Sequence, residues 1–175
     1  FATGHFGNWE VVGIPAAKQN IPINVVYRRL NNPYLDKWLL KKRSAYGSKL
    51  FPKGRKGAVA LLRALKNKEA AALLVDQKMN EGLAIDFMGK PAMTATAVAE
   101  LALKFNVDIL MVRIVRLSGV RFEQEIMPLH YDVTGADTEQ KKTEIILTAM
   151  NAHLAAWVKK TPSQWFWVHQ RWGKF

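Results

Sequence analysis

The chain has no cysteine in its 175 residues, which excludes disulfides, thiolate metal sites and a cysteine nucleophile. It also lacks any uninterrupted apolar run near the roughly 18 residues of a membrane-spanning helix. No internal repeat, low-complexity tract or Pro/Gly/Ser linker divides it. Acids are scarce in one place only: residues 1–66 hold 13 Lys/Arg against two acids, Glu10 and Asp36. The rest of the chain holds 13 Lys/Arg against 12 acids, so the net +12 lies almost wholly in the first third. Such a field attracts phosphates, anionic lipid headgroups, acidic proteins or nucleic acid. A merely solvated basic surface fits the composition as well. With 49% hydrophobic residues the chain can bury a core, which excludes disorder as its main state.

Short β-rich runs alternate with amphipathic stretches. Ile23–Tyr27 reads as a buried strand. Tyr34–Lys42 reads as a helix entered through Asn32-Pro33, with the proline in its first turn. Ala58–Lys66 reads as a helix with Val59, Leu62 and Leu65 inward and a basic opposite face. Ala71–Val75 reads as a strand that delivers Asp76 to its C-terminal edge. Thr94–Phe105 reads as a helix capped by Thr94. Ile109–Val115 and Val120–Met127 flank Ser118-Gly119 as a hairpin. Asp137, with Gln140 three residues on, resembles a capping box, and the helix it opens carries Ile146, Met150, Leu154 and Trp157 on one face. The expectation is one α/β domain over residues 1–175, layered, with a mixed, largely parallel sheet flanked by helices. The chain starts without methionine in what reads as the end of a strand, so an upstream anchor and first strand are expected to be missing.

The stretch GHFGNWE is the first candidate for chemistry. His5 and Glu10 are five residues apart, which on one helix places them about 140° apart. If Gly4–Gly7 is a loop and Asn8 caps a helix, the loop can fold back and bring imidazole and carboxylate together. That pair would serve general-base catalysis; a surface-loop histidine beside a first-turn glutamate favoured by the helix dipole is the commoner source of the pattern. Arg28 follows the Ile23–Tyr27 strand and can grip a phosphate or an oxyanion with its fork of donors. Lys53-Gly54-Arg55-Lys56-Gly57 sets three cations between glycines just before a helix, so Arg55 and Lys56 are candidate phosphate contacts. Asp76-Gln77 is either a strand-end turn or a substrate contact. His153 and His169 read as structural, and no His/Asp/Glu cluster has metal-site spacing.

TGHFGNWE, VYRRLNNPYLDKWL, VDQKMNEGLAIDFMGKPAMTATAVAELA and PSQWFWVHQRWGKF occur in that order. Together they resemble the lipid A biosynthesis acyltransferases, the lauroyl/myristoyl transferases of the lysophospholipid-acyltransferase-like superfamily. The likeness runs over nearly the whole chain and is least distinctive around residues 116–145. It implies a glycerolipid acyltransferase-like fold and acyl transfer from acyl–acyl carrier protein to a hydroxyl of a phosphorylated glucosamine disaccharide. In the family's H-x-x-x-x-E block, His5 would be the general base and Glu10 would orient it or stabilise its charge. Arg28, Asn32, Arg55, Lys56, Asp76, Gln77 and Arg171 would contact substrate, Asp76-Gln77 by bonding the acceptor sugar or by buttressing Arg28. The family has arginines where this chain has Gln170 and Arg171, and Gln170 departs from that pattern.

The resemblance also implies partners and a location. These are acyl carrier protein, a phosphorylated glycolipid and an anionic membrane surface, with no nucleic acid and no cofactor beyond the acyl donor. The enzyme would sit at the cytoplasmic face of a bacterial inner membrane, peripherally or by an N-terminal anchor. Acylation of another lysophospholipid or glycolipid is the nearest alternative, and a basic nucleic-acid-binding module is the alternative of a different class.

Overall fold

Strands and helices alternate along residues 1–45 and 47–173, which the computed structural model describes. In chain order they are β1 (Ala2–Thr3), a 3-10 turn (Trp9–Val11), α1 (Ile14–Lys18), β2 (Ile23–Tyr27), α2 (Pro33–Ser44), β3 (Ser48–Pro52), α3 (Arg55–Lys66) and β4 (Ala70–Leu74). There follow β5 (Lys78–Phe87), β6 (Lys90–Thr94), α4 (Ala97–Phe105), β7 (Leu110–Ser118), β8 (Arg121–Pro128), α5 (Glu139–Lys160) and a 3-10 turn at Pro162–Gln164. They fall into two compact units, Phe1 with Glu10–Leu73, and Ala2–Trp9 with Leu74–Phe175. The class is α/β with mixed, mostly parallel pairing, as expected.

In the first unit β2 is central and runs parallel to β3 on one side and β4 on the other. Parallel neighbours need crossovers, and α2 and α3 supply them. Asn32 opens α2 by accepting the Tyr34 and Leu35 N–H groups on its Oδ1 at 2.9 and 3.3 Å, with Pro33 in the first turn. Helix α3 begins three residues before its expected start, so Arg55 and Lys56 form its first turn. Gly57, Leu61 and Ala64 face inward, Leu62 and Leu65 are half-buried, and Val59 of the expected stripe is exposed.

In the second unit β1 is parallel to β7, and β7 pairs antiparallel with β8. Their hairpin turns beside Gly119 and carries a partly buried ion pair, the buried Arg113 on the half-exposed Glu125 at 2.7 Å. A second hairpin, β5–β6, turns at Met88-Gly89, whose φ values of 58° and 82° are those of a tight two-residue turn. Because this hairpin claims Thr94 as a buried strand residue, α4 starts only at Ala97. The alternation Leu83, Ile85, Phe87 was the signal for the strand, and the following helix pattern hid its partner. The cap of α5 is Thr138, one residue past Asp137, and its Oγ1 accepts the Lys141 N–H at 3.2 Å. Ile146, Met150, Leu154 and Trp157 of α5 are buried, as the 3.6-residue period requires. Among the described residues no helix is long and apolar enough to cross a membrane.

Candidate active site

His5 lies in the loop after β1 and precedes the 3-10 turn that holds Glu10, as the spacing predicts. The carboxylate that meets it is Asp76. The Val75 N–H donates to the Thr3 carbonyl at 2.9 Å, so the segments after β1 and after β4 leave side by side. His5 Nδ1 then lies 2.7 Å from Asp76 Oδ1, and the His5 backbone N–H donates to Oδ2 at 2.7 Å. Trp165 Nε1–H donates to the same Oδ2 at 2.8 Å. Gly4 permits this approach: a Cβ there would come 2.8 Å from the Phe6 ring and 3.2 Å from Asp76 Cγ. Gly7 turns the loop at φ +51°, where a Cβ would strike the Ile114 carbonyl.

The electrostatics follow from this arrangement. Burial works against the Asp76 carboxylate, but the His5 ring and backbone and the Trp165 indole outweigh it and hold its carboxyl below the usual carboxylate range. An ionised Asp76 accepts only, so the neutral imidazole carries its proton on Nδ1 and keeps the Nε2 lone pair. Gln77 Nε2 lies 3.5 Å from that Nε2, at the outer limit of a hydrogen bond. Trp9 stands edge-on to the imidazole at 4.8 Å between centroids, and Phe166 lies at 6.1 Å. His5, Trp9, Arg116, Gln164 and Phe166 help to line a cavity of about 360 Å³. The imidazole is thus oriented, walled by aromatic rings and open to a small space. That suits proton abstraction from a bound hydroxyl.

Glu10 pairs with an arginine inside the first unit. Its two carboxylate oxygens bind Arg43 of α2, Nε–H to Oε2 at 2.6 Å and the Nη2 donor to Oε1. The hydrogen bond that Arg43 donates to Glu10 raises the Arg43 pKa. The pair ties the 3-10 turn to α2 within the first unit. Breaking it is expected to cost about 1 kcal/mol, less at 1 M salt, because both groups are partly solvated. Denaturant unfolding of Glu10→Gln and Arg43→Gln in a double-mutant cycle measures this. A coupling near zero would show that the pair holds nothing.

The other sequence candidates divide. Arg28, Arg55 and Lys56 come together with Arg29 and Lys53 around a cleft of about 500 Å³ in the first unit. Five cations there meet the open N-terminus of α3, where Gly54 provides no side-chain cap. Asn32 is a helix cap, so its Oδ1 is occupied. Asp76 is buried as the partner of His5. Arg171 is a buried clamp: it donates to the Met93 carbonyl and to Thr94 Oγ1, each at 2.7 Å, and lies over the Phe87 ring. Burial pushes its pKa down to about 10, so it stays cationic but faces protein instead of solvent. His169 accepts the Lys78 N–H at 3.0 Å and is structural, as expected.

Trp165 and Arg116 were not legible as site residues. Trp165 sits in a tryptophan-rich run that a core or a membrane interface would equally use, and Arg116 sits on a strand with nothing around it to mark a site. Among the described residues no cluster of three His, Asp or Glu could hold a metal ion.

No curated protein matches the chain. The family model of the bacterial lipid A biosynthesis acyltransferases matches residues 1–174, nearly its full length. The match covers far more than half of the chain, and the fold is α/β with a histidine held by a buried carboxylate; the chain belongs to that family and is an acyltransferase of lipid A biosynthesis.

Proposed function

We propose that the enzyme moves a fatty acyl group from acyl–acyl carrier protein to a hydroxyl of a phosphorylated lipid A precursor, with His5 as general base. The observation that carries this reading is the Nδ1–Asp76 bond, which leaves the Nε2 lone pair of His5 for the acceptor hydroxyl. Nε2 takes the hydroxyl proton as the oxygen attacks the thioester carbonyl. The C–S bond of the donor then breaks, and the departing thiolate of the carrier's pantetheine arm takes the proton back from the imidazolium. Asp76 stabilises that imidazolium while it exists. No covalent acyl-enzyme is required, and general-base assistance of this kind supplies about 10²- to 10⁴-fold in rate. No cofactor enters these steps. Gln77, 3.5 Å from Nε2, is placed to touch the acceptor near the reacting oxygen. Glu10 acts through Arg43 as a structural brace in this reading.

The cationic cleft of Arg28, Arg55 and Lys56 is assigned to the acceptor's phosphates. The enzyme works at the cytoplasmic face of the inner membrane, where its donor is found. The test is release of carrier thiol and formation of acylated product with a tetra-acylated bis-phosphorylated disaccharide and, in parallel, a lysophospholipid. Product on the disaccharide alone is expected, and preference for the lysophospholipid overturns the acceptor. Arg28→Ala is expected to raise KM about tenfold for the bis-phosphorylated acceptor and little for its dephosphorylated form, the loss of one charge-assisted contact being worth about 1.5 kcal/mol. An equal rise for both acceptors would remove Arg28 from the phosphate site.

A further inference from the structure

Helix α2 has an outer face that its packing does not use. Its inner side is half-buried through Asp36, Leu39, Leu40 and Arg43. Arg43 binds Glu10, and Asp36 accepts the Leu30 N–H at 2.9 Å. At 100° per residue the opposite side carries Tyr34, Lys37, Trp38, Lys41 and Lys42, with Leu35 at its margin. Tyr34 is 85% exposed, Trp38 59% and Leu35 55%, so two aromatics one turn apart stand in solvent. The three lysines are exposed too, and Lys42 Nζ lies 6.0 Å from the Trp38 ring centroid. The helix's acid, Asp36, is on the inner side and does not dilute the positive face. Residues 10–73 as a whole carry 14 Lys/Arg against three acids. Single exposed apolar side chains are ordinary; a tryptophan, a tyrosine and a leucine interleaved with lysines on one helix face mark an interaction surface.

We propose that α2 docks this enzyme on the surface of an anionic bilayer, with Trp38 and Tyr34 at headgroup depth and Lys37, Lys41 and Lys42 on lipid phosphates. The choice of a bilayer rests on reading the chain as a lipid A enzyme, whereas the face itself rests on α2 alone. Tryptophan and tyrosine settle at the membrane–water interface because each has an apolar ring and a polar tip. Lysines beside them are drawn to anionic headgroups. A protein partner of ordinary kind covers about 800 Å² on each side, more than one face of a 12-residue helix presents. A bilayer sets no such minimum. The acidic acyl carrier protein is therefore the rival occupant that the experiment must separate.

The experiment is flotation of the chain with vesicles of neutral phosphatidylcholine, and of phosphatidylcholine with about 30% phosphatidylglycerol. Wild type is expected to float with the anionic vesicles and to be released from the neutral ones. The triple variant Lys37→Gln, Lys41→Gln, Lys42→Gln is expected to partition on the order of 100-fold more weakly, each lysine being worth roughly a fivefold change near the surface. Tyr34→Ser with Trp38→Ser is expected to make residual binding fully salt-reversible, because only the electrostatic part remains. None of these side chains is buried, so both variants should keep the wild-type circular dichroism. Unchanged flotation of either variant overturns the proposal. So does a lysine variant that floats normally yet loses affinity for acyl carrier protein, which would assign the face to the protein partner. Flotation is read without turnover, so its failure leaves the His5 mechanism standing. Conversely, loss of that mechanism leaves the docking result standing.

Discussion

His5→Ala is expected to lower kcat on the order of 10²- to 10⁴-fold, with KM for both substrates nearly unchanged. The split follows from what the imidazole does. Its Nδ1 is held by Asp76, and in the proposed mechanism its Nε2 acts on a proton that moves only in the transition state. Removing it therefore takes away transition-state stabilisation and little ground-state binding. The ring borders a cavity on one side, so its loss should not unfold the chain, and far-ultraviolet circular dichroism of the variant should match wild type. Turnover within threefold of wild type in a folded His5→Ala protein would sink the assignment of the base. His5→Gln is the useful companion, because it fills the space without providing a base of suitable pKa.

Asp76→Asn is expected to cost nearly as much, for a reason particular to this geometry. Oδ2 accepts two N–H donors, from the His5 backbone and from Trp165. An asparagine must keep its oxygen there, since its NH2 group cannot accept them. The amide nitrogen then faces His5 Nδ1 and donates to it. That forces the ring proton onto Nε2, the wrong nitrogen for abstracting a proton. The expected result is a fall in kcat of at least about 10²-fold in a protein that still folds. Retained activity would mean that Asp76 only braces the loop.

The same carboxylate makes a pH prediction. Its folded pKa lies below the ordinary value near 3.8, so its contribution to stability is complete above about pH 4 and fades as pH falls through the lower folded value. Asp76→Asn lacks this acid limb. The stability difference from wild type should therefore be largest near neutrality and shrink below about pH 4, as read by thermal unfolding across pH. A difference that stays constant from pH 7 to pH 3 would argue that the carboxylate is not the ionised partner of His5.

Most of the elements were legible because their signals are local. Ile23–Tyr27 has the same bounds as strand β2. Asn32-Pro33 opened α2 by the capping chemistry those residues have anywhere. Where two local signals competed, the tertiary pairing chose between them. Thr94 can cap a helix or fill a strand, and the turn at Met88-Gly89 gave it a β5 partner. Asp137 and Thr138 are both good caps, and Thr138 has the extended backbone that an N-cap needs.

By itself the sequence determined the alternation of strands and helices, the concentration of positive charge in the first third, and a histidine set between glycines ahead of a helical turn. It also placed Trp38 and Tyr34 one turn apart among lysines. Which carboxylate meets His5 was decided only by the tertiary structure. Spacing along the chain constrains contacts within one continuous element, and Glu10, five residues on, went to Arg43. Asp76 is 71 residues from His5 and reaches it because neighbouring segments bring their ends together, an adjacency that a local pattern does not encode. Arg171 shows the same rule from the other side. A motif arginine that a linear reading sends toward substrate is buried on Met93 and Thr94, where it holds the hairpin in place.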